Sequence, residues 1–197
     1  MKNNTRTKRT IFFVFLFLTL AVLFFFAVRR QINYPAPATR VFERGDKVKI
    51  YGTENSYITV VDSKIVSKED YLAFSGDEDY YPDSDLKAVV VHFVINNEGK
   101  NLENIEYNRF PISYLASKNM AGPYNLYQEI KYDENTKEWK AERGVKFETL
   151  PGEETEGYMV VTFLEINDPA DVWKNFDNNP IYLTVSYYPV HQKIRLN

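Results

Sequence analysis

The residues best equipped for chemistry lie in the acidic segment 67–85, SKEDYLAFSGDEDYYPDSD. Carboxylates are the hard oxygen ligands that Ca²⁺ prefers. Five of them are crowded into the second half of this segment: Asp77, Glu78, Asp79, Asp83 and Asp85. Their spacing differs from that of an EF-hand loop, because Tyr80 and Tyr81 stand where ligands would alternate. We predict a solvated surface loop that binds Ca²⁺ weakly at most; alternatively, Tyr80-Tyr81-Pro82 is a contact patch for a partner.

The two histidines, His92 and His191, are the other candidates for chemistry. His92 alternates with apolar residues and is predicted to be packed or hydrogen-bonded, while His191 lies near residue 197. Two isolated histidines provide no metal-ligand spacing, and no Gly-x-Ser-x-Gly motif accompanies them. The 27 Asp and Glu residues offer too many carboxylate pairs to single out a glycosidase site. We therefore assign no catalytic, cofactor-binding or metal-binding residues and expect a protein that is not an enzyme.

The apolar run 11–28, IFFVFLFLTLAVLFFFAV, fixes the organisation of the chain. As a helix it would be about 27 Å long, close to the ~30 Å hydrocarbon core of a bilayer. Four basic residues precede it and two follow it, a bias that places the N-terminus in the cytoplasm. The run is longer than the apolar region of a cleaved signal peptide, and Arg29-Arg30 stands where cleavage would begin. We predict an uncleaved transmembrane signal anchor.

Charge divides the chain at the same place. Residues 1–30 hold six of the 24 Lys and Arg and no acid, so residues 31–197 carry 18 basic against 27 acidic residues, a net charge of −9. Such an acidic domain is disfavoured as a nucleic-acid binder. The absence of cysteine excludes disulfides, thiolate metal sites and a lipid-modified cysteine. An exported domain without disulfides favours a single-membrane bacterium as host.

The remaining pattern predicts an all-β domain. Residues 1–10 are assigned to a cytoplasmic basic tail, 29–44 to an extracytoplasmic linker and 45–197 to the domain. Runs rich in Val, Ile and Tyr predict strands at 47–51, 57–66, 86–95, 146–150, 156–166 and 181–188. Residues 126–132 and 139–142 flank the polar stretch 133–137 and are predicted to form a hairpin, with a short helix as the alternative. Residues 105–117 are expected to hold one or two short strands. A short helix is expected from Asp168 to Phe176, with Asp168 as its cap. So many short strands indicate a two-sheet sandwich.

Four motifs resemble those of one family. They are a valine-rich strand ending in Asn (89–97), Leu150-Pro151-Gly152-Glu153, a Gly-led strand (157–163) and an alternating last strand (181–187). Together they resemble the immunoglobulin-like extracytoplasmic domains of unknown function of Gram-positive bacteria, which are membrane- or lipid-anchored. This chain departs from the lipoprotein members by lacking Cys, and it shows Ala116-Ser117-Lys118-Asn119 where many members carry an Asp-Gly turn. The resemblance implies an immunoglobulin-like, two-sheet antiparallel β-sandwich and no catalytic residues.

These observations predict a membrane-anchored extracytoplasmic protein-interaction domain whose partner is a protein or a cell-envelope component. Residues 11–28 would hold it in the cell membrane with the C-terminal domain outside. An accessory or sensory subunit of a membrane complex, such as a transporter, is the alternative. A cell-envelope hydrolase is a distant third.

Overall fold

The computed structural model describes residues 3–33, 37–106, 109–114, 125–144 and 146–197. The chain forms two compact units, Met1–Pro37 and Ala38–Asn197. In the first unit, helix α1 extends from Asn3 to Asn33 and contains the 18-residue stretch Phe12–Arg29, whose mean hydropathy is 2.5. The helix is long and apolar enough to cross a membrane, as predicted. Its polar Thr19 donates its hydroxyl hydrogen to the carbonyl of Phe15 at 3.0 Å, so the apolar surface is not interrupted by an unpaired hydroxyl.

The described part of the second unit is built from strands, two short α-helices and two 3₁₀ turns. The strands are β1 Thr39–Phe42, β2 Val48–Lys49, β3 Ser56–Ser67, β4 Leu86–Asn97, β5 Glu103–Glu106, β6 Ile112–Tyr114, β7 Asn125–Asp133, β8 Glu138–Gly144, β9 Lys146–Thr149, β10 Glu154–Leu164, β11 Ile181–Ser186 and β12 His191–Arg195. The α-helices are α2 Lys68–Ser75 and α3 Ala170–Lys174, and 3₁₀ turns cover Glu165–Asn167 and Phe176–Asn178.

Two sheets make the sandwich. The larger has the order β2-β3-β4-β10-β7-β8, and the smaller has the order β1-β12-β11-β6. Neighbouring strands are antiparallel except β1 and β12, which pair in parallel. A separate antiparallel ladder joins β5 to β9. The predicted all-β sandwich is therefore confirmed, with one parallel pair and one small extra ladder that the sequence did not indicate.

The core lies between the inner faces of the two sheets. On β4 the inward residues alternate along the strand, and on β11 the predicted face of Ile181, Leu183 and Val185 is buried. The core residues of the three main strands are Val89, Val91, Phe93, Ile95, Met159, Val161, Phe163, Ile181, Leu183 and Val185. Each such side chain contributes about 1.5–3 kcal/mol by leaving water, so this cluster is the main source of stability in a domain without disulfides.

Two features of the folded unit lie outside the predicted strands. Strand β1 falls within 29–44, the predicted linker, and it pairs with β12, which the sequence also did not indicate. The sequence of β1, TRVF, is too short to show a period, and three of its four residues are exposed. Its place in the sheet depends on a ladder with a strand 150 residues away rather than on its own apolar pattern.

Helix α3 begins at Ala170, one residue later than a helix capped by Asp168 would begin. Asp168 was expected to cap it, but the N-cap position is occupied by Pro169, whose side chain makes no capping hydrogen bond. Its short α-helical part ends at Lys174, and a 3₁₀ turn continues to Asn178. The assignment of Asp168 as the cap is therefore wrong, while the helix itself is present.

Candidate functional site

Helix α2 covers part of the outer face of the six-stranded sheet. It lies within 67–85, which was predicted to be a loop throughout, so that prediction is wrong for 68–75. The Ser67 hydroxyl oxygen accepts a hydrogen bond from the Asp70 N–H at 3.2 Å, and Gly76 ends the helix with a φ of 66°. Tyr71 and Phe74 are buried against the sheet. Their contacts include Ala88, Tyr127 and Val160, which are the outward residues of β4, β7 and β10.

Beside α2, the same face carries a groove of about 170 Å³. Its position depends on a β-bulge at Val61, where the register between β3 and β4 shifts. After the bulge, Asp62, Lys64 and Val66 lie on the outer face, whereas before it the even-numbered residues Ile58 and Val60 are in the core. Ser63 of β3 also lines the groove, and the remaining lining residues come from five other elements: Phe74, Val90, His92, Ile130, Trp139 and Tyr158.

His92 forms the polar part of the groove floor. Its ring stacks on that of Tyr158, with centroids 4.7 Å apart and planes 14° apart. Its Nε2 atom contacts a carboxylate oxygen of Glu156, and Asp62 lies opposite it on β3. Burial raises the pKa of the Tyr158 hydroxyl, and the charge of Glu156 raises it further. His92 is thus packed and hydrogen-bonded, as predicted. The hydroxyl of Ser63, which also lines the groove, donates to the Leu196 carbonyl.

An ammonium group occupies the centre of the acidic segment. Lys68, whose side chain is only 11% exposed, lies 2.8 Å from the Asp79 carboxylate. Its Nζ atom also donates to the carbonyls of Tyr81 at 2.6 Å and Ser84 at 2.9 Å. One carboxylate and two carbonyl oxygens that could bind Ca²⁺ are therefore directed at Lys68. Within the part of the chain that the structure describes, no three His, Asp or Glu side chains are grouped to hold a metal ion.

The other acidic residues of the segment point to separate partners. Asp77 accepts hydrogen bonds from the Tyr71 hydroxyl and from Arg143. Burial raises the pKa of Asp77, but these two hydrogen bonds outweigh it and the net shift is downward. Asp85 accepts a hydrogen bond from the Trp173 indole at 3.3 Å. Glu78 and Asp83 are exposed, as are Tyr80 and Tyr81, which the sequence analysis considered as a contact patch.

A family model described as a domain of unknown function, DUF5028, matches residues 40–192. The chain belongs to this family. Its fold is similar to that of an uncharacterized β-sandwich protein from Clostridium difficile 630, known from a crystal structure, with 13% sequence identity and a TM-score of 0.43. That similarity covers 81% of this chain and 96% of the other. No curated protein matches the sequence.

In this DUF5028 domain the other singled-out residues are structural. Trp173 is buried in the sandwich core. Trp139 is half-buried in the groove wall, with its ring 5.5 Å from that of Phe74. His191 stacks on Tyr187, and burial lowers the pKa of its imidazole, with the charge of Lys193 adding to the shift. The two histidines therefore have different neighbours: Tyr158 and Glu156 for His92, and Tyr187 for His191.

Two local signals could have located the groove of the DUF5028 domain. Ser67 followed three residues later by Asp70 is the pattern of a helix start, and it precedes the apolar residues of α2. The second signal is Val60-Val61, where two apolar residues adjoin directly after the alternating run Ile58-Thr59-Val60. A break of this kind marks a bulge, and bulges redirect the side chains that follow. Residues 116–119, which stand where many of the resembled immunoglobulin-like domains carry an Asp-Gly turn, lie outside the described residues.

Proposed function

We propose that this protein is a membrane-anchored, extracytoplasmic interaction domain that is not an enzyme. Helix α1 would hold it in the cell membrane of a Gram-positive bacterium, with its N-terminus in the cytoplasm. Support comes from the 18-residue apolar stretch Phe12–Arg29 and from the basic residues before it. The β-sandwich, which the sequence resemblance likens to immunoglobulin-like domains, would then face the outside and carry the binding surface.

The observation that carries the interaction role is the groove beside α2. Its volume of about 170 Å³ is below the range of roughly 300–1,000 Å³ typical of small-molecule sites. A groove of this size suits one or two side chains of a protein. Its lining combines aromatic rings with a few polar groups, the composition found at the centre of protein interfaces. The partner would present an apolar side chain to Ile130, Val90 and Trp139, with its polar neighbours near His92.

The contacts of His92 favour binding over catalysis. Its neighbours are a stacked tyrosine and a carboxylate, and among the described residues no hydroxyl group is hydrogen-bonded to it as a nucleophile would be. A cell-envelope hydrolase built on this histidine would need such a group.

Orientation can be tested by labelling, because the chain contains no cysteine. Tyr188 is 77% exposed on the folded unit, and Asn4 lies in the basic tail. On intact cells, a membrane-impermeant maleimide should label a Tyr188→Cys variant and not an Asn4→Cys variant. After permeabilisation both should react. Labelling of Asn4→Cys alone on intact cells would reverse the proposed topology.

Binding can be tested by co-purification of the full chain after mild detergent extraction. Ile130→Glu places a charge in the groove, and Ile166→Glu is the matched control because Ile166 is 62% exposed on a 3₁₀ turn. A protein partner, identified by mass spectrometry, should be lost with Ile130→Glu and kept with Ile166→Glu. Retention by both variants would remove the groove from the interaction. A partner that is itself an integral membrane protein would favour the accessory or sensory subunit.

A further inference from the structure

Among the residues that the structure describes, no strand lies beside one edge of β3 over most of its length. Strand β2 pairs with β3 only at Tyr57 and Ile58, while β4 occupies the opposite edge from Ser56 to Ser67. The Gly45 N–H donates to the Val60 carbonyl at 2.9 Å, and beyond this point no described backbone group bonds to that edge. Every second residue of an antiparallel pair points its N–H and C=O away from the partner strand. Residues 61–67 therefore offer a template for another strand.

The sequence along this edge is complementary to itself. It reads Val61-Asp62-Ser63-Lys64-Ile65, with an acid and a base on either side of Ser63 and an apolar residue beyond each. If two copies paired antiparallel about a two-fold axis at Ser63, Asp62 would face Lys64 of the second copy and Val61 would face Ile65. Opposed side chains in such a pair have Cβ atoms about 4.5–5.5 Å apart, close enough for both charge pairs to form.

Other registers lack this match. An axis at Asp62 would place two aspartates opposite each other, and an axis at Lys64 would do the same with two lysines. Like charges directly opposite each other destabilise a pair of strands. A lysine on a free edge normally discourages strand pairing. Here the charge of Lys64 is neutralised when Asp62 of a second copy lies opposite it, in the register centred on Ser63. The edge therefore selects against foreign strands while it accepts a second copy.

Val61 and Lys64 reach solvent, whereas Ile65 is half-buried and packs against the sandwich core. Val61 is 49% exposed, and Lys64 is exposed. No carboxylate among the described residues lies within ion-pair distance of Lys64, whereas Asp62 pairs with Arg44 at 3.2 Å. That pair is about half-exposed on both sides, and exposed ion pairs contribute only about 0–1 kcal/mol. The bulge at Val61 places Asp62 and Lys64 on the same face of the strand, so both can meet their counterparts.

We propose that the chain associates with a second copy of itself through antiparallel pairing of the two β3 edges, centred on Ser63. The interface is isologous, as in most two-fold dimers. It joins the two six-stranded sheets into one continuous sheet. This association goes beyond the proposed binding role. Asp62 and Lys64 also line the groove, but the pairing requires neither the groove's partner nor the proposed topology of α1.

Cross-linking of the full chain in its membranes tests the register, because each variant carries the only cysteine. Under mild oxidation, Ser63→Cys should form a disulfide-linked dimer, and the matched control Ser67→Cys on the same strand should not. Val61→Cys and Ile65→Cys should each fail alone, since identical positions would lie about 13 Å apart along the strands. A mixture of the two should cross-link. The mixture of Val61→Cys and Ile65→Cys keeps Ser63 and its hydrogen bond to the Leu196 carbonyl, so it tests the register without removing that contact.

Charge reversal tests the complementarity. In the Ser63→Cys background, Asp62→Lys or Lys64→Asp alone should lower the dimer yield about fivefold or more, because two attractive pairs become repulsive. Mixing these two variants, or combining both changes in one chain, should restore it. The proposal is overturned if Ser63→Cys cross-links no better than Ser67→Cys, or if charge reversal has no effect. Cross-linking of Ser63→Cys to another polypeptide, with none to itself, would overturn it in favour of a foreign strand.

Discussion

The ring of Phe147 lies directly against the backbone of Gly157. A Cβ atom at position 157 would come within 2.3 Å of the Phe147 Cζ atom and 2.5 Å of its Cε1 atom. The ring is 4% exposed and meets Phe93 edge to face, with centroids 5.4 Å apart. It therefore fills space on the inner side of the six-stranded sheet that only glycine leaves free. Gly157 is required by packing rather than by its backbone angles.

Replacing this glycine should destabilise the domain. In Gly157→Ala the new methyl group must displace a buried ring, and overpacking of this kind costs about 1–3 kcal/mol of the free energy of unfolding. Denaturant unfolding measures the loss. Gly144→Ala is the matched control, because its Cβ would meet the same Phe147 ring at an ordinary 3.8 Å. Adding Phe147→Leu to Gly157→Ala should recover part of the loss. Equal losses for the two glycine variants would contradict this account.

Asn97 organises one end of the sandwich. It is 1% exposed, and its Oδ1 atom accepts hydrogen bonds from the Ser56 hydroxyl at 3.2 Å and the Gly99 N–H at 3.0 Å. Its Nδ2 group donates to the carbonyls of Asn101 and Thr149, both at 2.8 Å. The amide thereby joins the end of β4 to the start of β3, to the turn that follows β4 and to β9.

Removing this amide should cost more than removing its neighbour. Asn97→Ala leaves several buried polar groups without partners, and at about 0.5–1.5 kcal/mol per bond we expect a loss of about 2–4 kcal/mol. Asn96→Ala is the control, because Asn96 is half-buried and contacts the exposed Glu154. It should lose less than about 1 kcal/mol, since exposed polar contacts contribute little. Thermal and denaturant unfolding of both variants checks the difference.

The sequence predicts well those strands that a local pattern of apolar residues specifies. The runs 86–95 and 156–166 correspond to β4 and β10, which lie side by side in the six-stranded sheet, and the hairpin at 126–142 is β7 and β8. Elements that depend on distant partners were missed. β1 needs β12, α2 needs the sheet beneath it, and the groove needs the bulge at Val61. The candidate site was therefore not predicted, although its histidine was correctly expected to be packed.

The start of α2 gives a direct test of the signal that was overlooked. Ser67 accepts a hydrogen bond from the Asp70 N–H at 3.2 Å. Ser67→Ala removes this cap and should cost about 1 kcal/mol, whereas Ser67→Asp can replace the acceptor and should cost less. Unfolding of the full chain in denaturant distinguishes them. Equal stability of the wild type and Ser67→Ala would mean that packing of Tyr71 and Phe74 alone specifies the helix.

Calcium should leave the domain unchanged. Because the Lys68 ammonium takes oxygens of Tyr81, Ser84 and Asp79, a cation has no free ligand set there. We expect no shift in melting temperature on addition of CaCl₂. Lys68→Met should lower the melting temperature, since it leaves two carbonyls and a carboxylate without their donor. A clear rise in melting temperature with Ca²⁺ in the wild type would contradict this assignment of Lys68.

Acid should weaken the domain through Asp77. Burial raises the pKa of Asp77, but hydrogen bonds from Tyr71 and Arg143 lower it more, so it is lower in the folded chain than the ordinary value of 3.8. A carboxyl with a lowered folded pKa stabilises the fold above its unfolded pKa, and this contribution is lost as the pH falls through the folded value. We therefore expect the wild type to have a larger free energy of unfolding than Asp77→Asn at neutral pH. The difference between the two proteins should shrink below about pH 4.

Asp83→Asn is the control, because Asp83 is exposed, and its difference from the wild type should stay small throughout. An Asp77→Asn difference that does not change with pH would show that the ionised carboxylate is not what holds Tyr71 and Arg143.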